Sequence, residues 1–175
     1  MNYFTFYELP VSFLLDEKQL RAKFLELGKR YHPDFYTKAS PDKQAKILEL
    51  STLNNKAFKI LGSFDRRMQY ILKEAGVLEE EEKYQLPQIF LMEMMDMNEI
   101  LMELQFDPDP LKKEEVLNHL EQIDKNMYSE IENVLKEYKI ENATKAQYKQ
   151  IKEYYYKSRY LLRIREQLDK FALPD

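Results

Sequence analysis

The chain has 175 residues, room for one domain or two small ones, and its 44% hydrophobic and 33% charged residues supply a core together with long solvated faces. No cysteine, only three glycines and seven prolines exclude a disulfide framework, a thiolate nucleophile and a cysteine-ligated metal, and they argue for long helices over glycine-rich sheets. The net charge of −4 divides into +4 over residues 1–76 (13 basic, 9 acidic) and −8 over residues 77–175 (14 basic, 22 acidic), which argues against a dedicated nucleic-acid binder and suggests two halves with different partners.

Residues 3–8 read as a short first helix or turn ending before Pro10. Asp16 with Gln19 forms a capping pattern, and Leu20, Phe24, Leu27 and Tyr31 then recur at helical spacing, with Leu27 and Tyr31 expected in the core. Lys18, Arg21, Lys23, Lys29 and Arg30 fall mostly on other faces. Pro33 lacks an N–H, biases His32 away from helical backbone and stops the helix. Residues 32–40 are expected to form a loop, after which Ser40 as N-cap and Pro41 at the first position open a third helix carrying Ile47, Leu50, Ala57, Phe58 and Leu61. Gly62 closes it, and Ser63 caps a shorter fourth helix that Gly76 ends.

The run Glu79 to Glu82 reads as a solvated linker or a helix start, and the domain boundary is placed there. Three long periodic segments follow at about 87–104, 111–138 and 144–171, separated by Asp107-Pro108-Asp109-Pro110 and by a second capping pattern, Thr144 with Gln147. Short connections between long helices imply an antiparallel three-helix bundle. The expected organisation is all-α, with residues 1–76 as one domain, 77–86 as linker and 87–175 as the bundle.

The first bundle helix has more apolar surface than a bundle core requires. At about 100° per residue, Phe90, Met94, Met97, Leu101 and Leu104 share a stripe about 80° wide, which suffices for the core. Leu91, Met92, Met95 and Met102 make a second face, edged by Asp96, Glu99 and Glu103. Such a face either completes a wide core or is presented to a partner, a use that suits the adaptable methionine side chain.

His32-Pro33-Asp34 after a basic amphipathic helix, followed by a second helix, is the signature of a J domain, and residues 1 to about 76 resemble one. With Tyr3-Phe4, Leu9-Pro10, Asn55, Ala57, Arg67, Tyr70, Leu72, the Phe90-Leu91-Met92-Glu93 segment and Arg159-Tyr160, the whole chain resembles HscB-type J-protein co-chaperones of iron–sulfur cluster biogenesis. Asn54, where this family is usually apolar, and Phe35 in place of a lysine after the tripeptide depart from the pattern.

The resemblance implies a non-enzymatic protein without cofactor or metal. His32, Pro33 and Asp34, with Lys23, Lys29 and Arg30, would dock on an ATP-dependent 70-kDa heat-shock-class chaperone and stimulate its ATP hydrolysis. Leu91, Met92, Met95, Asp96, Glu99, Glu103 and Tyr160 would bind the iron–sulfur cluster scaffold protein as client. A J-protein with a different client, or one that dimerises through its methionine face, is the alternative. Catalysis by His32 and Asp34 is not expected, because no nucleophile or phosphate loop accompanies them. His119 reads as a surface residue. No stretch of about 18 apolar residues occurs, so no membrane span is expected. The opening Met1-Asn2-Tyr3-Phe4 lacks the pattern of a secretory signal, so a cytoplasmic monomer is the expected form.

Overall fold

The computed structural model describes residues 2–79 and 82–170. Over these the chain is all-α, with no strand. Seven helices follow in order: α1 (Tyr3–Phe6), α2 (Glu17–Arg30), α3 (Pro41–Leu61), α4 (Phe64–Glu74), α5 (Gln88–Phe106), α6 (Pro110–Glu137) and α7 (Lys145–Lys170), with a 3-10 turn at Pro33–Tyr36 between α2 and α3. Two compact units result, one of residues 1–76 with 138–142, the other of residues 77–137 with 143–175. The short segment 138–142 falls in the first unit, where the Tyr138 ring meets the Phe13 ring edge-on at 4.6 Å.

In the first unit α2 and α3 pair as a hairpin. Asp16 caps α2 by accepting from the Lys18 and Gln19 N–H groups. Leu20 and Leu27 are buried and Phe24 stacks on Phe58 at 4.2 Å, whereas Tyr31 is only half-buried. Ser40 makes no side-chain cap bond, so Pro41 at the first position is what sets the start of α3. Gly62 ends α3 with ordinary helical φ, so its need for glycine is steric: a Cβ there would sit 2.8 Å from the Phe58 carbonyl oxygen. Gly76, at φ +67°, does occupy the left-handed region.

Asn54, the polar residue at a position expected to be apolar, is 2% exposed and fully employed. The buried Tyr7 hydroxyl lies 2.9 Å from both its side-chain and main-chain oxygens, and its Nδ2 donates to the Phe24 carbonyl at 3.1 Å. Burial drives the Tyr7 pKa upward, so the phenol stays a donor. Arg67 is likewise buried and donates to the carbonyls of Phe13 and Leu61. These polar groups are therefore compensated and tie helices together rather than weakening the core.

In the second unit α5, α6 and α7 pack on one another around Phe90, Met94, Met97, Leu101, Leu104, Val116, Leu120, Ile123, Leu161, Ile164 and Leu168. The capping box at α7 is reciprocal: the Thr144 N–H donates to Gln147 Oε1 at 2.9 Å and the Gln147 N–H to Thr144 Oγ1 at 3.2 Å. Tyr154 and Tyr155 are both buried, while Tyr156 takes another role.

Glu82 is not the solvated linker residue that the glutamate run suggested. It pairs with Lys152 of α7 at 2.6 Å and accepts from the Tyr156 hydroxyl at 3.2 Å, while Lys152 also donates to the Val77 carbonyl. Tyr84 stacks face to face on Tyr156 at 4.4 Å, and Leu86 packs on the bundle core. The described residues of 77–86 are thus strapped along α7. Glu80 and Glu81 lie outside the described residues.

Candidate functional site

Two groups of exposed side chains stand out, one on each unit. The first is the turn after α2. His32 caps it: its backbone is extended at φ −71°, ψ 122°, and its Nδ1 accepts from the Asp34 N–H at 3.3 Å. In the neutral ring that bond makes Nδ1 the acceptor and leaves Nε2 to carry the proton. The Asp34 carboxylate lies 3.8 Å from His32 Nδ1, and the His32 ring centroid lies 5.4 Å from that of Phe35. Pro33 fills the first position of the turn, where a missing N–H costs nothing.

Two residues that sequence reasoning missed hold this turn. The Tyr36 hydroxyl donates to the Arg30 carbonyl at 2.8 Å, which ties the turn to the end of α2. Gln44 of α3 donates to the carbonyls of Thr37 and Ala39 at 3.0 and 2.9 Å, which ties it to the next helix. His32, Pro33 and Asp34 are all exposed, as are Lys29 and Arg30. Lys23 differs from those two: it is bonded to Glu8 at 2.7 Å and lies 3.8 Å from Glu26. The bond to Glu8 raises the Lys23 pKa and lowers that of Glu8. Its charge is thus partly answered within the chain, while those of Lys29 and Arg30 face solvent.

The second group lies on α5. The helix buries Phe90, Met94, Met97, Leu101 and Leu104, and these five satisfy the bundle. The other apolar face is open: Leu91 is 38% exposed, Met92 60%, Met95 67%, Met102 63% and Phe106 84%. Asp96, Glu99 and Glu103 are also exposed. Glu103 is bonded to Lys112 of α6, and His119 stands 3.6 Å from Glu93.

Tyr160 differs from the rest of its predicted set. It is half-buried against the bundle core, edge-on to Phe90 at 5.9 Å, and its hydroxyl accepts from Asn98 Nδ2 at 2.9 Å. It therefore braces α7 against α5 at the margin of the open face. The α5 face consequently brings together Leu91, Met92, Met95, Asp96, Glu99 and Glu103, with Tyr160 at its edge.

Among the described residues no group of three or more His, Cys, Asp or Glu side chains could hold a metal ion, and no helix is long and apolar enough to cross a membrane. The concave sites are shallow. An open cavity of about 160 Å³ between α6 and α7 is lined by Met127, Glu130, Gln150, Tyr154 and Lys157. Open grooves of about 420 Å³ lie beside each exposed group, one lined by Pro33, Asp34, Tyr36 and Gln44 and the other by Asn98, Met102, Gln105 and Lys170. Neither group has the enclosed, convergent polar geometry of an active site.

Comparison with known proteins agrees with this geometry. Residues 86–169 match the family described as "HSCB C-terminal oligomerisation domain". The co-chaperone protein HscB homolog of Vibrio parahaemolyticus is 35% identical over 111 residues, covering 63% of this chain and 65% of its own length. That of Aliivibrio salmonicida is 38% identical over 113 residues, with the same coverage. The aligned region thus spans 65% of the length of these curated relatives. Human co-chaperone protein HscB superposes with a TM-score of 0.81 at 25% identity, covering 97% of this chain and 81% of that one. Chaperone HscB from Vibrio cholerae shares the fold, with a TM-score of 0.74 at 22% identity over 97% of this chain and 96% of its own. With the His-Pro-Asp turn at one site and the matched helical bundle carrying the other, the chain is similar to the HscB co-chaperone proteins, in family signature over residues 86–169 and in fold over 97% of its length.

Proposed function

We propose that this chain is a two-ended co-chaperone. Its N-terminal unit docks on a 70-kDa heat-shock-class chaperone and stimulates ATP hydrolysis there, and its C-terminal unit carries an iron–sulfur cluster scaffold protein as client. The observation that carries the reading is α5 itself, a helix that completes its bundle with one apolar face and leaves a second open. A contiguous exposed apolar face marks an interaction surface, and methionine adapts such a surface to a partner of irregular shape.

At the other end the chemistry is polar. The Nε2–H of His32 and the carboxylate of Asp34 offer one donor and one acceptor side by side on an exposed turn, suited to charge-assisted hydrogen bonds. Lys29 and Arg30 beside them steer an acidic surface into register and raise association rates in a salt-dependent way. Lys23, already bonded to Glu8, serves mainly to shape this end of α2.

The test uses two variants of the full chain. Replacing Leu91, Met92 and Met95 by alanine is expected to weaken scaffold binding while leaving client-free ATPase stimulation intact. His32→Gln is expected to do the reverse. Loss of both activities in a well-folded triple variant would refute the division of labour.

The description of the matched family as an oligomerisation domain supports a second reading, self-association through the same face. Sedimentation separates the two: a stable dimer that buries Met92 and Met95 would favour the second.

A further inference from the structure

The open face of α5 does not stop where the residues assigned to client binding stop. Positions 92, 95, 99, 102 and 106 alternate steps of three and four, so Met92, Met95, Met102 and Phe106 lie on one stripe with Glu99 at its middle. At about 1.5 Å per residue the stripe runs about 21 Å from Met92 to Phe106. Phe106, at 84% exposure, is the most exposed of its apolar members. Met102 also borders an open groove of about 420 Å³ lined by Asn98, Leu101, Gln105, Gln167 and Lys170.

The charge on this helix is one-sided. Between Gln88 and Phe106 there are four acidic residues, Glu93, Asp96, Glu99 and Glu103, and no lysine or arginine. Lys112 answers only Glu103. Two copies meeting face to face about a twofold axis would bring these carboxylates together, an arrangement that like-charge repulsion opposes. A partner with an apolar centre and basic side chains around it would be complementary in both respects.

We propose that Met102 and Phe106 anchor the same partner as Met92 and Met95, and that the partner surface they fit is apolar with a lysine- or arginine-rich rim. This rests on the client-binding reading of α5 given above, adds Met102 within that site and lengthens it past Glu103 by about one helical turn. Phe106 acts as a rigid aromatic anchor at one end, and Met102 directs the partner toward the groove beside it. Asp96 and Glu103 flank the stripe as its polar rim and Glu99 stands within it, and salt weakens the contribution of these carboxylates.

The test is calorimetric titration of a purified iron–sulfur scaffold protein against the full chain, the M102A/F106A variant, the L91A/M92A/M95A variant and E99K, at low and high salt. The M102A/F106A variant is expected to bind about tenfold more weakly or worse, E99K to bind more weakly, and wild-type affinity to fall as salt rises. All substituted side chains are exposed, and unchanged circular dichroism with unchanged client-free ATPase stimulation confirms that each variant is folded. If the L91A/M92A/M95A variant loses binding while M102A/F106A retains it within twofold, the extension is refuted and the client-binding reading stands. If the wild-type chain does not bind the scaffold, the reading and the extension both fail. Affinity that rises with salt refutes the basic rim. A wild-type dimer that M102A/F106A dissociates shows that a second copy is the occupant, and refutes the proposal.

Discussion

The two exposed groups are built on opposite physical plans. The turn at His32 is a polar device without a core of its own: none of Pro33–Tyr36 is buried, and its geometry comes from hydrogen bonds of Asp34, Tyr36 and Gln44 to nearby acceptors. The α5 face is mainly apolar and exposed, and its position is set by the five buried residues on the other side of the same helix. In one region the proposed docking groups, His32 and Asp34, also take part in holding the shape. In the other, the proposed docking surface and the packing residues lie on two faces of one element. The turn should therefore be sensitive to small polar changes, and α5 should tolerate change on one face and fail on the other.

The sharpest way to break this comparison lies in adjacent residues. Met94→Ala is expected to destabilise the second unit by about 2–5 kcal/mol, because it empties a fully buried site. Met95→Ala, one residue on, should change stability by less than about 0.5 kcal/mol. Urea denaturation of both variants checks this, and equal losses would mean that the open face also supports the bundle.

The next effect tests whether buried polar ties matter where neither partner surface is involved. Asn54→Leu keeps the branched side-chain shape but removes the bond that Nδ2 donates to the Phe24 carbonyl and one of the two acceptors near the Tyr7 hydroxyl. A loss of about 1–3 kcal/mol is expected, read from the denaturation midpoint of the first unit. An unchanged midpoint would show that the usual apolar residue serves equally well.

The smallest effect concerns the strap of 77–86 on α7. The hydrogen bond from Lys152 holds the Glu82 carboxyl below the usual carboxylate range. A depressed folded-state pKa means that the bond's contribution is present above the unfolded value and is lost as pH falls through the folded one. Tyr156, pushed up to about 12 by burial first and the Glu82 charge second, keeps its proton throughout that range. Protection of amides in 82–86, taken relative to intrinsic exchange at each pH, should therefore fall in acid in the wild-type chain, and Glu82→Gln should abolish that acid dependence. Persistence of the pH effect in Glu82→Gln would assign it elsewhere.

Much of this was legible in the residues. The five-residue core stripe of α5 and its surplus face follow from periodicity alone, because a 3.6-residue repeat assigns faces without reference to any partner helix. The His-Pro-Asp turn follows from what proline forbids. What stayed hidden depends on which helix lies opposite. Asn54 was visible as a polar intruder, but its partners Tyr7 and Phe24 lie 47 and 30 residues away. Glu82 looked solvated because its partners, Lys152 and Tyr156, are supplied by α7. Tyr160 carried the right motif, yet its bond to Asn98 spans 62 residues and turns it partly inward. Phe106 was readable in register with Met92 and Met95, but the next residues, Asp107-Pro108, drew attention to the helix end instead.

The stitching of the His32 turn reaches no further than seven residues along the chain, from Gln44 back to Thr37. Such short-range closure costs little chain entropy and forms early. The segment from Arg30 to Gln44 is accordingly a portable cassette: grafted between two antiparallel helices of another scaffold, it should bring its imidazole and carboxylate into the same arrangement.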